Sequence, residues 1–279
     1  MRIRASVAVM TGALALSALA VPAAQADDSN SVSKFTRSVK ADAAVGPSDD
    51  VSGDTTISNV VVNGGKPVVM GATTKNTFTV SFTAADDSGI DWAAAVVWRG
   101  STFDDLDGGM VPNEEEAVCT KVNTTTSTCK QTFTFDANYD LVNSLAGGWK
   151  VWALAQGTDF DFVQKDNAKG FSLQRMSKLT VNASPEPVVK GKTITVTGAL
   201  TRADWETNKY AGLSGQSVVL QFRKAGTTNY TNVKGIKSAT GGALKTTVTA
   251  STDGYYRFTY AGIASTAAVS AAGDYVDVK

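Results

Sequence analysis

Three aspartates crowd the segment Ser101-Thr102-Phe103-Asp104-Asp105-Leu106-Asp107-Gly108-Gly109, and carboxylates at this spacing are ligands for hard cations. Calcium takes about six to eight oxygens on a turn that glycine can bend sharply, so Asp104, Asp105 and Asp107 with Gly108 can supply part of a shell. The pattern departs from an EF-hand: no Glu stands at the closing position and no helix flanks the segment. Solvated loop carboxylates are the alternative reading of the same residues. A second acidic turn holds Asp86, Asp87 and Asp91, and Glu114-Glu115-Glu116 reads as a solvated charge run. Two carboxylates facing one cleft would suffice for glycoside hydrolysis, which needs no other residue type.

The chain has no histidine. This removes Ser-His-Asp and Cys-His nucleophile activation, the usual imidazole base and most zinc, copper and iron sites. Catalysis is therefore disfavoured, and carboxylate-only chemistry is what survives. The two cysteines, Cys119 and Cys129, flank a polar Asn/Thr/Ser turn. In an oxidising compartment they read as a structural disulfide across a hairpin, because facing strands bring Cα atoms within bonding reach. A redox pair would want a Cys-x-x-Cys spacing, which is absent.

Flat aromatics are the other candidates. Trp98 ends a run that reads as a central strand, where a sandwich core takes a tryptophan. Trp149 and Trp152 have opposite parity on one strand, so one must face away from the core, where it is either exposed or covered by a loop. Trp152 shares its face with Lys150 and is the expected exposed one. Trp205 and Tyr210 lie in Ala203-Asp204-Trp205-Glu206-Thr207-Asn208-Lys209-Tyr210, material for a carbohydrate site or for a loop plugged onto the end of a sandwich.

Met1 to Ala26 reads as an export signal: Arg2 and Arg4, then the apolar run Val7 to Val21, then Ala24-Gln25-Ala26 for cleavage. The expected mature chain, 253 residues from Asp27, carries 24 basic and 26 acidic side chains once the two signal arginines are subtracted. That balance gives no electrostatic reason to expect nucleic acid or a membrane as partner. With no lipid-anchor cysteine near the cleavage site and a polar end at Asp274 to Lys279, the expectation is a protein released to the outside.

The positioning elements are short runs of period two. Thr77-Phe78-Thr79-Val80-Ser81-Phe82 puts three apolar residues on one face and hydroxyls on the other, and Thr132-Phe133-Thr134-Phe135 repeats it. Ile57 to Val62, Ala93 to Trp98, Trp149 to Ala155 and Gly170 to Leu173 add strands, while Tyr139 to Leu145 reads as one or two helical turns at most. A second series runs through Leu179, Ile194/Val196/Leu200, Val218/Leu220/Phe222, Tyr256/Phe258/Tyr260 and Tyr275 to Val278. The expected organisation is a signal (1–26), a flexible leader (27–53), a first sandwich (54–176) and a second (177–279).

Lys190-Gly191-Lys192-Thr193-Ile194-Thr195-Val196-Thr197-Gly198, Gly215 to Arg223 and Asp253-Gly254-Tyr255-Tyr256-Arg257-Phe258 resemble bacterial immunoglobulin-like modules of secreted actinobacterial proteins. The resemblance covers about 100 residues, 177–279. It implies two tandem immunoglobulin-like β-sandwiches in an all-β chain, with a tyrosine corner at Tyr255-Tyr256. It also makes the sequons at Asn123 and Asn229 irrelevant. The leading function is a non-catalytic binding or adhesion protein whose ligand is an extracellular polysaccharide or protein, with calcium as the one cofactor in view. A carboxylate-only enzyme and an inhibitor presenting a loop near Cys119 and Cys129 are the alternatives.

Overall fold

The computed structural model describes residues 49–103 and 105–279; the expected export signal, residues 27–48 of the expected leader and Asp104 lie outside the described residues. The first ten strands are β1 (Asp50–Ser52), β2 (Thr56–Val62), β3 (Val68–Met70), β4 (Lys75–Ala85), β5 (Ile90–Thr102), β6 (Asp105–Met110), β7 (Val118–Lys121), β8 (Thr126–Asp136), β9 (Gly147–Gly157) and β10 (Phe162–Arg175). The chain divides into two compact units. The first comprises 49–66, Thr77–Thr134 and Trp149–Phe171; the second comprises Pro67–Asn76, Phe135–Gly148 and Ser172–Lys279. The units therefore interleave along the chain, where a single break near residue 176 was expected.

In the first unit one sheet runs β2-β4-β8-β7 and the other β1-β10-β9-β5-β6. This is the strand order of an immunoglobulin-like sandwich with one extra strand beside its central pair. Asp50–Ser52, the end of the expected flexible leader, is a strand paired antiparallel with Phe162 to Gln164. Alternation explains the first sheet: Phe78, Val80, Phe82 and Ala84 on β4 and Cys129, Gln131, Phe133 and Phe135 on β8 are all buried, and the residues between them are partly exposed or exposed. The central pair differs, because β5 and β9 are buried on both faces. Ala93↔Ala155, Ala95↔Ala153 and Val97↔Val151 form one face, and Ala94↔Leu154, Val96↔Trp152 and Trp98↔Lys150 form the other. The alanines and the phenylalanines of β4 and β8 are complementary in size, as close packing requires. Phe171 joins the two layers, tilted on Phe78 at 5.9 Å and on Trp149 at 6.3 Å.

The second unit adds β11 (Ser177–Leu179), β12 (Asn182–Ser184), β13 (Thr193–Asp204), β14 (Lys209–Gly212), β15 (Ser217–Lys224), β16 (Thr231–Lys237), β17 (Ala243–Thr249), β18 (Gly254–Tyr260), β19 (Val269–Ser270) and β20 (Asp274–Val276). Strands β11, β12, β14 and β17 flank β13, and the facing sheet runs β16-β15-β18 with β19 and β20 beside β18. Ile194, Val196, Leu200, Val218, Leu220 and Phe258 are fully buried between them. The tyrosine corner does not form. Tyr256 packs into the core on Phe222 at 4.8 Å, while Tyr255 lies on the other parity, opposite Arg223, and neither hydroxyl bonds back to the preceding loop among the described residues. The expected turn at Tyr139 to Leu145 is a single 3-10 turn, Asn143–Leu145.

The expected disulfide is present: Cys119 and Cys129 are directly opposed on β7 and β8, with Cα atoms 3.9 Å apart. It staples one hairpin within one sheet, where antibody domains bridge two sheets. Closing a loop with a sequence separation of 10 should stabilise by about 2 to 3 kcal/mol. Replacing both cysteines by serine is expected to lower the unfolding free energy by about that amount in urea titrations.

Candidate functional site

Five aspartates from three separate turns meet at one end of the first unit. Asp86 and Asp87 lie between β4 and β5, Asp159 and Asp161 between β9 and β10, and Asp54 between β1 and β2. The β7–β8 turn closes against them: Asp86 N–H donates to Thr125 O at 2.9 Å. Loop is tied to loop throughout, by Thr158 N–H to Gly89 O at 2.9 Å, Thr158 Oγ1 to Ser88 O at 2.9 Å and Asp54 N–H to Asp161 Oδ2 at 3.2 Å. Two glycines make room. A Cβ at Gly157 would run into the Asp86 carboxylate, and Gly53, at φ 76°, leaves its Cβ space to Asp161.

Asp86 is the hub of this end. Burial opposes its charge, but Ser88 Oγ at 2.5 Å, Thr55 Oγ1 at 2.5 Å and Ser88 N–H at 2.9 Å all donate to it and hold its carboxyl below the ordinary carboxylate value. Asp87 goes the other way: Asp54, first of all, then desolvation and the charges of Asp159, Asp86 and Asp161 raise it. The carboxylate oxygens of Asp54, Asp86 and Asp87 lie within 4.8 Å of one another, as do those of Asp86, Asp159 and Asp161. Of the described residues, these are the ones whose oxygens one calcium ion can bridge. Sequence reading had marked Asp86 and Asp87 and missed Asp54, Asp159 and Asp161; the one local signal was the Asp159-Phe160-Asp161 spacing before a strand.

The calcium ligands expected from the sequence sit elsewhere. Asp104 lies outside the described residues, and Asp105 and Asp107 open a β-strand paired with β5 instead of a free loop. Asp105 accepts from Ser101 Oγ at 3.0 Å, and Asp107 lies 4.0 Å from Arg99 Nε. Neither joins a three-carboxylate grouping among the described residues. Glu114 is no free charge either, since Thr132 N–H and Oγ1 both donate to it at 2.7 Å.

The expected aromatic platforms are buried. Trp152 is on the outward face of β9, as parity required, but it is only 4% exposed because Phe103 stacks on it at 5.7 Å and meets Trp98 edge-on at 5.5 Å. Trp98 shares that outward cluster with Ala94, Val96 and Leu154, away from the main core, and donates to Asp166 O at 2.8 Å. Trp205 is 1% exposed, held by Nε1–H to Gly71 O at 3.0 Å and by its N–H to Asn143 Oδ1 at 3.0 Å. Tyr210 is half-buried under the Lys178 ammonium, 3.7 Å from its ring. The open aromatic at this end of the first unit is one that sequence reading passed over. Phe160, at the tip of the β9–β10 loop, is 76% exposed at φ 74°, and Val122 on the neighbouring β7–β8 turn is 65% exposed.

A model of a family of unknown function, DUF5707, matches residues 68–155, 88 of the 279. No curated protein matches the chain. Similar solved structures include the mouse nectin-like molecule 4 ectodomain (14% identity, 82% of this chain and 65% of that one, TM-score 0.24). The D00-D0 domain of intimin is 13% identical over 79% of this chain and 99% of that one, at TM-score 0.26. Alpha-2-macroglobulin of E. coli is 11% identical over 84% of this chain and 14% of that one, at TM-score 0.32. The chain thus spans just under two thirds of the nectin-like ectodomain, and none of these likenesses places a site on it.

The two pKa shifts set opposite pH dependences. The contribution of Asp86 is complete above the unfolded value near 3.8 and is lost as pH falls through its lower folded value. Asp86→Asn is expected to cost about 1 to 3 kcal/mol at neutral pH and to flatten the acid limb below pH 3.8. Asp87, with its raised value, opposes folding while ionised and is relieved as pH falls. In chelator, Asp87→Asn should raise the thermal midpoint at neutral pH and leave it unchanged in acid. Melts of both variants from about pH 3 to about pH 8 check both signs.

Proposed function

We propose that this chain is an exported, non-catalytic binding or adhesion protein and that the loop end of the first unit is its contact surface for a protein ligand. The observation that carries this reading is Phe160. A bulky residue in the left-handed backbone region costs about 1 kcal/mol or more, and an exposed ring returns nothing to folding. Around it the loops are pinned to one another by main-chain hydrogen bonds, so the ring is presented at little entropic loss on binding. The acids at Asp54, Asp87 and Asp159 complement a basic partner surface. A protein ligand is favoured over a polysaccharide because Trp152 and Trp205, the rings that would have stacked on sugars, are enclosed. Export rests on Met1 to Ala26, and the disulfide fits an oxidising compartment.

Phe160→Gly separates function from stability. Glycine adopts φ 74° without strain, so the variant should be as stable as the parent or up to about 1 kcal/mol more so. The ligand captured from the producer's secreted and surface fractions should be held at least about tenfold more weakly. Tyr139→Ser, which removes a ring 78% exposed in the second unit, should capture as the parent does. Equal capture by Phe160→Gly and parent would remove this reading.

A further inference from the structure

The outward face of the second unit's β15 and β18 carries arginines and tyrosines that the loop end does not use. Cross-strand register sets Arg223 opposite Tyr255, Gln221 opposite Arg257 and Tyr255 opposite Tyr275. The intervening residues, Leu220, Phe222, Tyr256 and Phe258, pack into the core, so parity sends the arginines and their partners outward. The Arg223 guanidinium lies 4.1 Å from the Tyr255 ring centre and 5.3 Å from that of Tyr230, and Arg257 lies 3.7 Å from the same Tyr230 ring. One tyrosine thus holds two like charges close together.

These guanidiniums are fixed and still have donors. Arg223 gives one N–H to Thr227 O, and Arg257 gives Nε–H to Gln221 Oε1 at 2.9 Å, while Gln221 in turn donates to Asn232 at 2.8 Å. A planar fork held on a ring keeps its remaining N–H groups in plane for a carboxylate. Among the described residues neither arginine is paired with an acid. The nearby acids are engaged elsewhere: Asp253 accepts from Val278 N–H at 2.8 Å, Asp274 from Ala183 N–H at 2.6 Å, and Asp277 lies 3.7 Å from Lys279 Nζ.

We propose that this face docks an acidic segment of a partner protein, its carboxylates received by Arg223 and Arg257. Charge complementarity selects an anion. The covering of the Tyr230 and Tyr255 rings by guanidinium groups selects protein over sugar, since a pyranose would need a bare ring face. Tyrosine and arginine are also the residue types that dominate protein interfaces. This surface stands on observations separate from those at Phe160.

The isotope-labelled full chain titrated with a hexaglutamate peptide tests the proposal. Saturable amide shifts are expected on β15, β16 and β18, weakening as salt is raised. R223Q and R257Q should each weaken binding about tenfold, the loss of one charge-assisted contact, and K245Q, which removes an exposed charge on β17 of the opposite sheet, should bind as the parent does. The absence of shifts on these strands overturns the proposal, as does unchanged affinity in both arginine variants. So does a polyuronate oligosaccharide that shifts these amides where hexaglutamate does not. If a glutamine variant fails to fold, the shift map of the parent chain decides.

Discussion

Strands β5 and β9 are apolar on both faces, and a sheet of that kind persists in water only when both faces are covered. On one side the cover is the phenylalanine layer of β4 and β8, set against alanines small enough to admit it. On the other it is Phe103, folded back to stack on Trp152 and to meet Trp98 edge-on. The outer face of an antiparallel sheet usually meets solvent, and its residues are polar. Here that face is enclosed, which removes Trp98 and Trp152 from any role as an open platform.

The same central strands carry the loops of the first unit's acidic end. Since β4 leads into β5 and β9 into β10, the turns after β4 and after β9 are brought together and tied by the Thr158 bonds to Gly89 O and Ser88 O, while Asp86 accepts from Thr55 of the β1–β2 turn and from Ser88 of its own. Neutralisation by donors is what permits a carboxylate at this nearly inaccessible position. Its neighbour Asp87, exposed and with no such donors among the described residues, shows the cost of assembling acids in one place. One end therefore contains a carboxylate that folding stabilises and one that folding tolerates, the difference being hydrogen bonds and not charge number.

The second unit handles its outward face differently. Its facing sheet is apolar only on the inner parity, and the outer parity of β15 and β18 carries Gln221, Arg223, Tyr255 and Arg257. Guanidinium groups stacked on phenol rings shield apolar surface while leaving charged edges in water. Two sandwiches of related strand order thus present unlike surfaces: a closed aromatic face in one, a polar aromatic face in the other.

By itself the sequence determined the all-β class, most strand positions, the hairpin disulfide and the parity of Trp149 and Trp152. All of these rest on period-two alternation or on pairs of residues ten or fewer positions apart, and such information is local. Only the tertiary structure decided what covers each face. Parity sends Trp152 outward, but its burial depends on Phe103, a residue of the β5–β6 turn whose position no alternation encodes. Tertiary structure also decided which acids meet. Asp54 and Asp161 are 107 positions apart and come within hydrogen-bonding reach only through strand order, whereas Asp105 and Asp107, two positions apart, are drawn into a strand by the ladder with β5. Interleaving of the two units had the same origin: β3 pairs with the end of β10, about a hundred residues later, and no composition shift marks that pairing.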